Sequence, residues 1–237
     1  MAPKVSIVLT VHNMERYLAG AVRSVLGSSF TDFELVLFDD GSTDASAALC
    51  AAAAECDPRV HFTASKHLGR NAALRAACAL ATGELLGLVD ADDILGPEAI
   101  SATANFLALH PECGMVYTNY ETIDARGFNH GLGSRCRVLY SHYAELRSFL
   151  PHHFRLCRRA DFEAIDGFSP AYPAAMDFEM CLRFSEHAKI MHLCEVHYYY
   201  RLHEERMSVK QRELQKECGR RAIHEALARR GLGVAVV

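Results

Sequence analysis

The chain has 237 residues, half of them hydrophobic, and a formal net charge of −4 at pH 7, so it can bury one sizeable core and is not expected to bind nucleic acid as its main partner. Nine cysteines without a Cys-x-x-Cys pair indicate reduced thiols rather than a disulfide framework. No apolar run reaches the roughly 18 residues of a membrane-spanning helix, and no signal-peptide pattern opens the chain, which predicts a cytoplasmic protein, with peripheral contact at the inner face of a membrane left open.

Short apolar strands alternate with helices through the first half of the chain. Strands are predicted at residues 5–10, 34–39, 60–64, 84–90 and 114–119, because each is a short apolar run. Helices are predicted at residues 15–26, 45–55, 70–81 and between Pro97 and Pro111. This alternation predicts an α/β fold with a doubly wound, Rossmann-like, mostly parallel sheet flanked by helices, whose ligands gather at the carboxyl ends of the strands.

The periodicity weakens after residue 119. Glycines and arginines scattered over residues 120–151 predict a mobile loop. A short strand at 153–158, a helix ending near Gly167, a helix at 176–187, a strand at 196–201 and a long polar helix at 209–230 are predicted to follow. That last helix has seven basic residues against three glutamates, so it could contact anionic lipid, although a solvated face is the simpler interpretation.

Polar residues follow three of the predicted strands, at the point where each strand ends. One acidic strand end is unremarkable, because Asp caps turns and helices. Three such ends are harder to assign to packing, since the carboxyl ends of parallel strands meet at one edge of the sheet. The residues are Thr10 and His12, then Asp39 and Asp40, then Asp90, Asp92 and Asp93.

The segment Asp90-Ala-Asp92-Asp93 predicts a metal site. Three carboxylates within four residues repel one another unless a cation lies among them. Oxygen ligands suit Mg²⁺ or Mn²⁺, which commonly also bind the phosphates of a substrate. A turn with a helix cap at Asp92 or Asp93 is the alternative interpretation.

Three segments together resemble the nucleotide-binding half of family 2 glycosyltransferases, which are inverting enzymes of the GT-A fold. They are residues 5–13 (VSIVLTVHN), 38–44 (FDDGSTD) and 88–94 (LVDADDI). The similarity continues at residues 154–168, 176–183 and 199–208. The resemblance implies metal-dependent transfer of a sugar from a UDP-sugar, or another nucleotide-sugar, to a hydroxyl of a glycan or lipid-linked acceptor, as in the assembly of surface polysaccharides.

The resemblance also implies roles for nine residues. Asp177 aligns with the catalytic base, and Asp92 and His203 align with ligands of Mn²⁺ or Mg²⁺. A carboxylate at position 40 suits uracil, whose N3–H is a donor, because a carboxylate only accepts. Met176 stands where the family often has Glu, and the segment from Leu68 to Leu74 is a shortened variant of the family pattern. The residues implied at the donor nucleotide are Thr10, His12, Asp40, Arg70, Asp90 and Arg201.

These roles imply one catalytic domain over residues 1–237, with a nucleotide-sugar-binding half (1–119), an acceptor and catalytic half (120–207) and a C-terminal helix (208–237). A nucleotidyltransferase would need a Gly-rich loop after the first strand, where this chain has Val-His-Asn-Met-Glu. The motifs of P-loop kinases and of dinucleotide oxidoreductases are also missing. A non-catalytic nucleotide-sugar-binding protein is the remaining alternative, and the presence of Asp92, Asp177 and His203 together argues against it.

Overall fold

The computed structural model describes residues 3–204 and 206–233. Within them the strands are β1 (Val5–Val11), β2 (Phe33–Asp40), β3 (Val60–Ser65), β4 (Leu85–Leu88), β5 (Ile94–Leu95), β6 (Cys113–Asp124), β7 (Asn129–Leu132), β8 (Arg155–Arg158) and β9 (Lys189–Leu202). The helices are α1 (Glu15–Leu26), α2 (Ser46–Cys56), α3 (Arg70–Leu80), α4 (Ala99–Leu109), α5 (His142–Arg147), α6 (Arg159–Ala164), α7 (Met176–His187), α8 (Met207–Lys210) and α9 (Arg212–Arg229).

The strands form one sheet in the order β3-β2-β1-β4-β8-β6-β9-β5, and β7 pairs with β6. Strands β1 to β4, β6 and β9 run in one direction, whereas β5, β7 and β8 run in the other. The predicted α/β fold with a mostly parallel sheet is confirmed. Because β8 lies between β4 and β6, the same sheet continues from the proposed nucleotide half into the proposed acceptor half.

Each face of the sheet has its own hydrophobic core. In β2, Leu35 and Leu37 face one core, together with residues of α1 and α4, whereas Val36 and Phe38 face the other. Helices α3, α6, α7 and α9 cover that second face. Since both faces are covered, the central strands are mostly apolar on both sides, and this pattern predicts them from the sequence.

The prediction of a mobile loop over residues 120–151 is wrong for much of that segment. Strand β6 continues to Asp124, because Tyr120 and Ile123 remain buried. Strand β7 and helix α5 follow, with a short 3₁₀ turn at Ser134–Arg137 between them. Gly133 lies against the ring of Tyr120, where a Cβ atom would come within 2.2 Å of ring carbons, so only glycine fits this contact.

The predicted C-terminal helix is divided at Gln211 into α8 and α9. One side of α9 is buried in the core that also contains α7. Several basic side chains of α9 and of the residue after it have partners within the chain, namely Lys216, Arg221, Arg229 and Arg230. No helix of the described residues is long and apolar enough to cross a membrane. Peripheral membrane contact stays a prediction, and residues 234–237 lie outside the described part.

A buried carboxylate links α5 to the C-terminal end of α9. The side chain of Glu145 has no exposed surface, and its Oε2 lies 3.3 Å from the hydroxyl of Tyr140 and 3.7 Å from Nη2 of Arg230. Its other oxygen has no hydrogen-bond partner among the described residues. Burial raises the pKa of Glu145 to about 7, although Ser185 and Arg230 lower it in part.

Replacing Glu145 by Gln is expected to remove a pH dependence of stability. A carboxyl whose pKa is raised by folding binds its proton more tightly in the folded chain, so the unfolding free energy falls as pH rises towards and through about 7. Between about pH 5 and about pH 8, the wild type should lose about 1–3 kcal/mol more than Glu145→Gln. Urea unfolding at both pH values measures this difference. Glu163→Gln, at an exposed ion pair with Arg159, should behave as the wild type, and an equal pH dependence in Glu145→Gln would contradict the expectation.

Candidate active site

The carboxyl end of β2 meets the start of α3 through Asp40. Its carboxylate is buried. Oδ1 accepts a hydrogen bond from the backbone N–H of Leu68 at 2.5 Å, and Oδ2 accepts one from the backbone N–H of Gly69 at 3.0 Å. His12 Nδ1 lies 2.8 Å from the backbone carbonyl oxygen of Asp40. Asp40 therefore fixes the loop that leads into α3 and also orients His12, both beside the end of β1. The expectation that Asp40 itself contacts the base stays a prediction.

Asp93 anchors the acidic loop, residues 90–93, that follows β4. Its side chain is completely buried, Oδ2 accepts from the hydroxyl of Tyr198 at 2.8 Å, and Oδ1 accepts from the backbone N–H of Arg201 at 2.7 Å. Burial raises the pKa of Asp93 well above its usual range, and the neighbouring charges of Asp92 and Asp90 raise it further. Both donors belong to β9, so Asp93 connects the acidic loop to the far end of the sheet.

Asp92 contacts His203, and these are the two residues predicted from the sequence as metal ligands. Nε2 of His203 lies 2.8 Å from Oδ2 of Asp92. The ring of Tyr17, on α1, lies 4.9 Å from the ring of His203, and the guanidinium of Arg201 lies 5.0 Å from the ring of Tyr17. Helix α1 thus holds the segment after β9 against the acidic loop.

Arg201 has two backbone partners near the site. Its Nε donates to the carbonyl of Asp92 at 2.7 Å, and its Nη1 donates to the carbonyl of Asp124 at 3.1 Å. Arg201 is buried. The structure therefore shows Arg201 holding the acidic loop, and its expected contact with a diphosphate stays a prediction.

Arg70, at the first turn of α3, forms an ion pair with the start of the acidic loop. Its Nη2 donates to Oδ1 of Asp90 at 2.7 Å. The charge of Asp90 raises the pKa of Arg70, and the charges of Asp177 and Asp92 act in the same direction. Three of the carboxylates predicted from the sequence therefore lie within the electrostatic field of one guanidinium.

Asp177 and Glu179 have opposite surroundings at the start of α7. The side chain of Asp177 is about a third exposed, and its nearest cation is Nη2 of Arg155 at 3.7 Å. Glu179 is buried and binds Arg183 through both oxygens, and Arg183 in turn donates to the carbonyls of Ile165 and Gly167. Of these two acids, only Asp177 is available to a substrate, while Glu179 holds the preceding turn.

An aromatic cluster lies under the acidic loop. The ring of His153 stacks on Tyr200 at 3.9 Å and on Tyr198 at 5.3 Å, and meets Tyr120 edge-on at 4.9 Å. Burial is the main cause that lowers the pKa of His153 well below its usual range. The ring is therefore neutral near pH 7 and acts as part of the packing that supports Asp93 through Tyr198.

Two groups of residues at this end of the sheet could hold a cation. Asp90, Asp93 and His153 place possible ligand atoms within 4.8 Å of one another, and so do His12, Asp40 and His67. We favour the pair Asp92 and His203 instead, because both oxygens of Asp93 already accept hydrogen bonds in the interior. His203 Nδ1 is buried without a hydrogen-bond partner among the described residues, and the paired carboxylate and imidazole fit Mn²⁺ or Mg²⁺ with positions left for phosphate and water.

The predicted residues of β1, β2 and the acidic loop lie at the carboxyl ends of the strands, and Arg70, Arg201 and His203 contact that loop, whereas the ion-pair partner of Asp177 is Arg155. Thr10 lies near the end of β1, opposite Phe38 in register. Tyr17 and Arg155, which support these residues, have no signal in the sequence. Asp93 was predicted as part of the acidic segment after β4, but its role in the interior was not. The ligand contacts of all the predicted residues stay predictions.

Known proteins resemble this chain over most of its length. Residues 6–166 match the family described as Glycosyl transferase family 2. A chondroitin synthase from Escherichia coli is 30% identical over 230 residues, covering 97% of this chain and 33% of that protein. A hyaluronan synthase from Pasteurella multocida is 28% identical over 236 residues, covering 97% of this chain and 24% of that protein. The chain thus spans a third or less of the length of these relatives.

Solved structures show the same fold. TarS 1-349 of S. aureus superposes with a TM-score of 0.76 at 20% identity, covering 94% of this chain and 65% of that chain. The mannosyltransferase PcManGT from Pyrobaculum calidifontis, in complex with GDP-Man and Mn²⁺, has a TM-score of 0.76 at 18% identity, covering 96% and 65%. These similarities confirm the predicted GT-A fold. The match over residues 6–166, which is more than half of the chain, shows that the protein belongs to glycosyl transferase family 2.

Proposed function

We propose that this protein is a metal-dependent, inverting glycosyltransferase that moves a sugar from a UDP-sugar to an acceptor hydroxyl. The observation that carries the proposal is the ion pair of Arg70 with Asp90, beside which the charges of Asp92 and Asp177 also raise the pKa of Arg70. This arrangement places a basic group and carboxylates of both halves at one edge of the sheet, where α/β folds bind their ligands. Family membership and the complex of TarS with UDP-GlcNAc support the choice of donor.

The donor nucleotide would lie across the ends of β1, β2 and β4, in the nucleotide half (1–119). Thr10, His12 and Asp40 surround the proposed position of the base, and Asp90 and Arg70 surround that of the ribose and phosphates. Arg201 would add positive charge at the diphosphate while holding the acidic loop in place. Thymine has the same N3–H as uracil, so a dTDP-sugar satisfies the same contacts.

Asp92 and His203 would hold Mn²⁺ or Mg²⁺. Bound there, the ion supplies positive charge that stabilises the leaving diphosphate. The complex of PcManGT with GDP-Man and Mn²⁺ supports this cofactor. Asp92 and His203 already contact each other, so the ligand atoms are positioned by the fold.

Asp177 would act as the general base. It would take the proton of the acceptor hydroxyl while the acceptor oxygen forms a bond to the anomeric carbon. The bond from that carbon to the diphosphate oxygen breaks in the same step, the nucleoside diphosphate leaves, and the configuration inverts. Arg155 lies 3.7 Å from Asp177 and holds this carboxylate at the start of α7.

The acceptor would bind over the catalytic half (120–207). Relatives named chondroitin synthase and hyaluronan synthase support a growing polysaccharide, and a lipid-linked glycan would present the same hydroxyl chemistry. A protein that binds nucleotide-sugars without catalysis is the second candidate. The carboxylate of Asp177 argues against it, because this side chain is about a third exposed and can be reached by an acceptor.

A donor screen tests the proposal directly. The protein is incubated with Mn²⁺, individual UDP-sugars, and oligosaccharide acceptors from several polysaccharides, and release of UDP is measured. Acceptor-dependent release with at least one donor is the expected result. Binding of UDP-sugars without transfer to any acceptor would favour the non-catalytic alternative, and no binding of any nucleotide-sugar would refute both.

Removal of the metal ligand His203 is expected to weaken nucleotide binding. His203→Ala should bind UDP at least about tenfold more weakly in Mn²⁺, and the difference should disappear in EDTA, because only the metal-bridged contact is lost. Asp92→Ala should behave alike. Calorimetric titration with UDP measures both. His110→Ala, whose histidine lies beside Glu112, is the matched control. Full turnover in excess EDTA, or unchanged UDP affinity of His203→Ala in Mn²⁺, would contradict the metal assignment.

Asp177→Asn is expected to abolish transfer without affecting donor binding. The amide keeps the shape of the side chain but cannot take the proton, and a general base contributes about 10²- to 10⁴-fold to the rate. UDP release in the presence of acceptor should fall by at least about 10²-fold, while calorimetry shows normal binding of UDP and Mn²⁺. Glu179→Gln should lower stability but keep transfer, since Glu179 binds Arg183. Near-normal transfer by Asp177→Asn would exclude it as the base.

A further inference from the structure

A series of three hydrogen-bonded side chains lies on β6 and β9, and it has no part in the function proposed above. Oδ1 of Asn119 lies 2.8 Å from Nε2 of His192, and Nδ1 of His192 lies 3.7 Å from Sγ of Cys194. The thiol of Cys194 is free, and this residue is exposed. Enzymes use the same order of amide, imidazole and thiol to activate a nucleophilic cysteine.

A β-bulge places Cys194 at the surface. The parallel pairing of β6 with β9 skips two residues of β9 between Leu193 and Val196. One of the two is Cys194, which therefore has no counterpart in β6. Residues two apart in a strand share a face, so the thiol lies on the side of His192, and the bulge leaves it open to solvent.

The hydrogen bond to Asn119 determines which nitrogen of His192 can act as a base. An amide oxygen only accepts, so Nε2 of His192 carries the proton, and Nδ1 is then the acceptor in a neutral ring. Burial lowers the pKa of His192, which keeps the ring neutral near pH 7. The unprotonated nitrogen is thus the one that contacts the thiol of Cys194.

A buried hydroxyl without a partner lies next to this series. The ring of Tyr117 stacks on that of His192, with the two centroids 4.3 Å apart. Tyr117 is 2% exposed, and its hydroxyl has no hydrogen-bond partner among the described residues. Burial raises the pKa of Tyr117, and the nearby thiols of Cys194 and Cys136 raise it further. A buried donor beside these thiols thus lacks an acceptor, which a group attached to Cys194 can supply.

We propose that Cys194 is a reactive thiol that forms a mixed disulfide with small disulfides, with His192 as the general base. Sγ of Cys194 gives its proton to Nδ1 of His192 and attacks one sulfur of the disulfide. A new S–S bond forms, the original S–S bond breaks, and the departing thiolate takes the proton from His192. Asn119 holds the ring in the required tautomer. This chemistry goes beyond sugar transfer and does not depend on it.

The rate of mixed-disulfide formation tests the proposal. The full chain is incubated with oxidised glutathione near pH 7, and mass spectrometry of its peptides follows Cys194 and Cys56, an exposed thiol at the end of α2. A free thiol is only a few per cent ionised near pH 7, so base assistance should make Cys194 react about tenfold faster than Cys56.

Variants of the two partners separate base assistance from simple exposure. His192→Gln should lower the rate at Cys194 about tenfold, because the amide cannot take the proton, and should leave the rate at Cys56 unchanged. Asn119→Ala should lower the rate at Cys194 less, because the base remains but its tautomer is no longer fixed. His61→Gln, at an exposed histidine on β3, is the matched control and should change neither rate.

Two results would overturn the proposal. If Cys194 reacts no faster than Cys56 in the wild type, the thiol is not activated. If its rate is the same in His192→Gln and Asn119→Ala as in the wild type, exposure alone explains the reaction. The buried thiol of Cys181 reports unfolding, because it reacts only when the core opens. If it reacts in His192→Gln, Asn119→Ala decides in its place, and if it reacts in both variants, the wild-type ratio decides.

Discussion

The buried carboxylate of Asp93 is the contact on which the arrangement of the site depends. A carboxylate without exposed surface is costly unless hydrogen bonds replace its water, and Asp93 obtains them from the hydroxyl of Tyr198 and the backbone N–H of Arg201. Both donors lie on β9, about a hundred residues further along the chain. The acidic loop after β4 is therefore tied to β9, and the two proposed halves cannot shift relative to each other at this point without exposing or unpairing Asp93.

The position of residues 201–203 follows from this contact. Asp93 binds the backbone N–H of Arg201, and the side chain of Arg201 donates to the carbonyl oxygen of Asp92. His203, two residues further on, contacts the carboxylate of Asp92. Tyr17 packs against both Arg201 and His203. The proposed metal ligands are thus held from three sides, by α1, by the acidic loop and by β9, which favours a site that is formed before any ligand enters.

The sequence was most informative where one element buries a regular apolar pattern. Helices α1 and α7 begin and end at the predicted residues, because each buries an amphipathic face against the sheet. Strand β5 has two residues and exists through its pairing with β9, so no local pattern predicts it. The first half of β9 was missed because its side chains are largely polar or exposed, and its pairing with β6 is a long-range contact.

The sequence predicts where the acidic residues lie but not which of them binds the protein interior, because burial decides this. Asp92 and Asp93 are chemically identical neighbours, and only burial decides that Asp93 binds the interior while Asp92 faces His203. A similar arrangement occurs at the other end of the site, where the buried carboxylate of Asp40 binds the backbone N–H groups of Leu68 and Gly69. At both places a buried carboxylate holds a loop beside the proposed site. The roles of neighbouring acids in such clusters therefore depend on the long-range contacts that bury one of them, and the sequence alone does not show those contacts.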